Sequence, residues 1–106
     1  MINIEYFEEL AQGDESVKNR LLKLVHEELV SAKQQLEAKN SHRHCAEMAE
    51  VVHKIKPKFK MFNMEEEFKR AEQYNKQLKS GRSEKSMHET AIDDINQFLK
   101  YLTNYL

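Results

Sequence analysis

The sequence predicts a single all-α domain over residues 1–106, an antiparallel up-down-up-down four-helix bundle with a short extra helix at the N-terminus. Three observations carry this. Two Gly and one Pro leave almost nothing to build the turns of a sheet, and Val, Ile and Thr together make up only twelve of 106 residues. Apolar residues recur at steps of three and four along four long stretches, the spacing of one helix face. Capping and stopping residues fall between those stretches. Seventeen basic against eighteen acidic residues give a net charge of −1, so there is no general attraction to nucleic acid or to an anionic membrane. The longest run without a charged residue is the six residues Tyr101 to Leu106, far short of the roughly 20 needed to span a bilayer. Met1 to Glu9 lacks a basic start followed by an apolar run, and the single Cys45 has no partner for an internal disulfide. The expected compartment is the cytoplasm, and the run from Met1 to Leu106 reads as a free-standing protein.

The first helix is expected over Ile2 to Ala11, ended by Gln12-Gly13. Asp14 is a good N-cap for a second helix of roughly 24 residues, with a stripe of Val17, Leu21, Val25, Leu29, Ala32 and Leu36. Lys39 to His44 reads as a loop in which Asn40 or Ser41 caps the third helix. The seam of that helix is Cys45, Met48, Val52, Ile55, Phe59 and Phe62. Asn63 with Glu66 has capping-box spacing and opens the fourth helix, which carries Met64, Phe68, Ala71, Tyr74 and Leu78 and closes at Gly81. Ser83 or Ser86 starts the last helix, where Ser86-x-x-Glu89 is a second capping box. Its stripe is Met87, Ala91, Ile95, Phe98, Leu102 and Leu106. Four such stripes can be buried only against one another. None is left over, so a monomer is expected.

One segment is abnormal. Residues 51 to 64 hold four Lys and no acid in a chain whose charges otherwise balance. At about 100° per residue, His53 falls roughly 130° from the centre of the third helix's seam and should face water. Lys56, Lys60, Ala46, Ala49 and Pro57 share its sector, whereas Lys54 and Lys58 project on the other side of the seam. A neutral imidazole can attack phosphorus through a ring nitrogen. Nearby ammonium groups favour the neutral form and stabilise negative charge on a transferred phosphoryl group. Small side chains beside it leave room for a second protein. Pro57 removes the amide that would serve the His53 carbonyl, so a kink or local unwinding is expected there.

With these residues in view, the chain resembles the histidine phosphotransfer domains of multistep two-component phosphorelays. Their His-x-x-Lys-Gly signature reads here as His53-Lys54-Ile55-Lys56-Pro57, with Phe62-Asn63 at the following turn. Leu10 to Glu15, Ala71-Glu72 and Leu78 to Gly81 are similar to the family's pattern, so the resemblance covers nearly the whole chain. Pro57 stands at the family's Gly, and Lys58 at the small residue that follows. The resemblance implies that His53 is the phosphoacceptor and Lys56 its basic partner. It further implies that Ala46, Ala49, Glu50, Pro57 and Lys60 face the docking protein. The implied partners are response-regulator receiver domains or a hybrid histidine kinase. The chain would be a phosphocarrier with no stand-alone catalysis and no cofactor, the Mg²⁺ being supplied by the receiver.

The same residues admit other readings. A helical adaptor that binds a receiver without carrying phosphate would not need both His53 and Lys56. Nucleic-acid binding is disfavoured because the Lys54, Lys56, Lys58, Lys60 alternation splits across two sides of the helix and lacks exposed aromatics to stack bases. His42, His44 and Cys45 suggest a metal, but no second ligand pair follows, so no metal site is expected and Cys45 reads as a small core residue. His26 and His88 are expected at the surface.

Overall fold

The computed structural model describes residues 2–39 and 42–106, and every regular element among them is helical. Helices α1 (Glu5–Ala11), α2 (Glu15–Ala38), α3 (Cys45–Met61), α4 (Glu65–Lys79) and α5 (Lys85–Thr103) form an elongated bundle of 45 × 23 × 18 Å. A 3₁₀ turn over His42–His44 leads into α3. The expected caps Asn40 and Ser41 lie outside the described residues. Helix α2 packs on α1, α3 and α5, and α4 packs on α3 and α5. No helix is long and apolar enough to cross a membrane among the described residues.

Helix α2 begins where Asp14 caps it, its Oδ1 accepting from the amides of Ser16 and Val17. Its buried line is Leu22, Val25, Leu29, Ala32 and Leu36. The expected stripe ran through Val17 and Leu21, which are only half-buried. Successive steps of four drift by about 40° each, whereas the alternating steps from Leu22 hold one line. Helix α3 buries its whole expected seam, Cys45 included, together with Ala49 and Val51.

Both expected capping boxes are corrected. Asn63 ends α3. It takes φ +59, its N–H donates to the Lys60 carbonyl and the Met64 N–H donates to the Phe59 carbonyl at 2.8 Å, the paired bonds of a Schellman motif. Asparagine tolerates the left-handed region better than most residues. Gly81 ends α4 in the same way at φ +84, as expected. Helix α5 then starts from Glu84, whose N–H donates to Gln77 Oε1 at 2.7 Å. Ser86 lies inside the helix, and Ser83 bonds elsewhere. Helix α1 starts at Glu5, not at Ile2, because Asn3 Oδ1 accepts from the Glu5 amide. Leu106 lies beyond α5 and is exposed.

The unwinding expected at Pro57 is also corrected, since α3 runs unbroken through it. His53 and Pro57 both lie on the exposed side, so the carbonyl left without its amide can be served by water. Ile55 and Phe59, buried on the opposite side, hold the turns before and after it.

Candidate functional site

Helix α3 buries Met48, Val52 and Ile55 and thereby holds His53 outward, exposed. His53 lines a surface groove between α3 and the end of α4. Cys45, Ala46, Ala49, Glu50 and Lys54 contribute from α3, and Leu78, Lys79 and Gly81 from α4 and its closing turn. The floor is apolar, because Cys45, Ala49 and Leu78 are buried. Ala49, expected on the docking face, is therefore floor and not rim: α4 covers it. Asn75 makes that covering specific. It is 2% exposed, and its Nδ2 donates to the Ala49 carbonyl at 2.7 Å. In a helix that same carbonyl accepts the His53 amide, so Asn75 fixes the turn from which His53 projects.

The lysines separate into different surroundings. Lys58 crosses to α2, with Nζ 2.6 Å from Glu28, and donates to the Lys54 carbonyl at 3.2 Å. Lys54, expected on the far side of the seam, borders both the His53 groove and the α2–α3 groove. Lys60 does not join His53. Its ammonium lies 5.0 Å from the centre of the Phe68 ring, and with Pro57 it lines a separate cavity against α1. Lys56 is half-buried on the turn after His53. Among the described residues, Lys54, Lys56, Lys60 and Lys79 have no acidic partner within ion-pair distance, and the His53 side chain makes no hydrogen bond.

A second polar cluster is buried at the same end of the molecule. The Tyr74 hydroxyl lies 2.7 Å from Ser83 Oγ and 2.7 Å from His88 Nδ1. The arrangement that satisfies all three has Ser83 donating to Tyr74 and Tyr74 donating to His88. His88, expected at the surface, is 2% exposed. Burial holds its pKa below the usual value, and Glu89, the Leu36 carbonyl and Glu37 oppose that shift. His88 Nε2 is buried without a partner at good hydrogen-bond geometry among the described residues. Burial also raises the Tyr74 hydroxyl. Two further links tie elements together: Arg70 binds Asp94 through two bonds of 2.9 and 3.0 Å, joining α4 to α5, and Lys39 lies 3.0 Å from Glu47.

Sequence reasoning missed Asn75, Lys79 and the Tyr74–His88 pair. The signal for two of these was present. His88, Ala91, Ile95, Phe98 and Leu102 follow steps of 3, 4, 3 and 4, a straighter line than the one from Met87, and Asn75 lies beside Tyr74 on the α4 stripe. Lys79 has no such signal, since only the packing of α4 on α3 brings it to His53. Among the described residues, no group of three or more His, Cys, Asp or Glu side chains is placed to hold a metal ion.

The arrangement supplies an exposed imidazole, free of side-chain hydrogen bonds among the described residues, beside an apolar groove with cations on its rim. It can serve as a nucleophile toward an anionic electrophile brought by another molecule. No family model, curated protein or solved structure matches the chain.

Proposed function

We propose that the protein is a histidine-containing phosphocarrier that relays a phosphoryl group between receiver domains. The observation that carries this reading is His53 exposed on a buried-seam helix, with Lys54 and Lys79 on the same groove and, among the described residues, no ion pair to either and no hydrogen bond to compete for the ring nitrogens of His53. In the proposed step, the lone pair of a neutral His53 ring nitrogen forms an N–P bond as the acyl P–O bond of a receiver phosphoaspartate breaks. The aspartate carboxylate leaves with the electron pair, and the imidazolium sheds its proton to solvent. Lys56 holds charge on the moving phosphoryl group. Mg²⁺ belongs to the receiver's acidic pocket, toward which the basic rim steers the encounter.

The same reading takes the molecule as an antiparallel up-down-up-down four-helix bundle. The cycle of packing from α2 to α3, α4, α5 and back to α2, with short connections, supports it. It places the carrier in the cytoplasm as a monomer, with receiver domains or a hybrid histidine kinase as partners. Ala46 and Glu50 would meet the partner beside His53, and Pro57 and Lys60 would meet it nearer α1.

The test is incubation of the purified chain with a panel of phosphorylated receivers. Acid-labile phosphate is expected on His53 alone. Binding of a receiver without any label would overturn the carrier reading and leave an adaptor.

A further inference from the structure

We infer that Lys79, the last residue of α4, is a phosphoryl-binding residue of the His53 site, and that the groove between α3 and the α4–α5 turn is where the phosphoryl group rests. This rests on the carrier reading and adds a residue that no feature of the local His53 sequence indicates. Lys79 lines the groove that His53 lines, and Glu50 is the only acid among the lining residues. Several lysines elsewhere on the molecule are paired with an acid, among them Lys58 with Glu28, Lys39 with Glu47 and Lys18 with Glu15, whereas Lys54, on the same rim, has no such pair among the described residues. Lys79 has no acidic partner among the described residues, and Lys60 is drawn away over Phe68.

The groove's shape favours an anion held from this side. Its apolar floor limits the water that screens an ammonium from a phosphoryl oxygen, which strengthens their attraction. Nothing lies within 4 Å of where a Cβ at Gly81 would be, so the turn beyond Lys79 leaves the mouth open. A phosphoryl group on His53 would then meet Lys56 from its own helix and Lys79 from across the groove. A cation on a second helix constrains the group in a direction that one on α3 alone does not.

Phosphoramidate tests this without a receiver. The ring nitrogen's lone pair forms the N–P bond while the P–N bond of the donor breaks. Ammonia departs from the N-protonated donor with the electron pair of that bond, and the imidazolium loses its proton to water. Label, phosphohistidine lifetime and the ³¹P titration midpoint of the phosphoryl group are measured on the full chain, with melting curves as the check on folding. Lys79→Glu is expected to lower the labelling rate about tenfold and to raise the titration midpoint. Lys79→Arg should restore both, and Lys100→Glu, the same charge change on the exposed side of α5, should behave as the parent. If Lys79→Glu melts normally and matches Lys100→Glu in rate, lifetime and midpoint, the Lys79 assignment is overturned while the carrier reading stands. If the folded parent takes no label from phosphoramidate or from any receiver, the carrier reading itself falls.

Discussion

His53 and His88 are the same side chain on two long amphipathic helices, and the fold gives them opposite chemistry. His53 projects from the outer side of α3, without a hydrogen bond to the protein among the described residues, beside unpaired lysines. His88 lies on the inner line of α5, with Nδ1 bonded to Tyr74 and its charged form disfavoured by burial. One histidine is exposed at a groove and makes no side-chain hydrogen bond among the described residues. The other is spent on holding α4 and α5 together. Rotation about the helix axis, more than the identity of neighbouring residues, separates the two.

Exchanging the roles should produce the largest effect. His53→Gln is expected to abolish phosphoryl labelling with an unchanged melting temperature, whereas His88→Gln should keep the label and melt lower. Label that survived in the first variant, or vanished in the second while it remained folded, would break the contrast. Charge reversal at the exposed site comes next. Lys56→Glu should slow transfer from a phosphorylated receiver several-fold, and Lys60→Glu less, because Lys60 is engaged over Phe68. Stability should stay within about 0.5 kcal/mol in both, measured by urea unfolding. At the buried site, Tyr74→Phe leaves Ser83 and His88 Nδ1 without their partner. It is expected to cost about 1–3 kcal/mol in the same experiment, with labelling of His53 unaltered.

The smallest effect is one of pH. His88 is held below its ordinary value of 6.5 in the folded chain, so the unfolded chain binds its proton first as the pH falls. Its contribution is therefore complete above that value and declines as the pH drops below it. Melting temperature followed from pH 8 downward should show this decline, flattened in His88→Gln. An identical profile in the variant would mean that His88 does not titrate as its surroundings dictate.

Much of the helical layout was legible because it depends on local rules. The Asp14 cap, the Gly81 stop and the α3 seam follow from side-chain capping, backbone freedom and period, each readable within a few residues. The readings that failed depended on distant groups or on competing local ones. Asn63 has the spacing of a cap for α4, but the turn's need for a left-handed residue at the end of α3 takes precedence. The exposure of His53 followed from its angle on the helix. The groove did not, because Leu78, Lys79 and Gly81 reach it through the α3–α4 packing and Asn75 secures it through a backbone carbonyl 26 positions away. Lys60 shows the limit of angle alone: a shared sector does not bring two side chains together when an aromatic ring offers one of them a nearer partner.

The N-terminal segment closes the opposite end of the bundle. Asn3 donates its amide to the Phe62 carbonyl at 3.0 Å, Ile2 is buried, and Phe7 stacks on Phe62 at 4.7 Å. Phe62 in turn meets Phe98 at 5.0 Å. In the order of synthesis, the residues made early must wait for surfaces supplied by α3 and α5 before they can dock. A ribosome-bound chain stopped before Phe98 would hold Phe7 and Phe62 without the ring that completes their cluster. Protease sensitivity of α1 on stalled chains of increasing length should therefore persist until α5 has emerged.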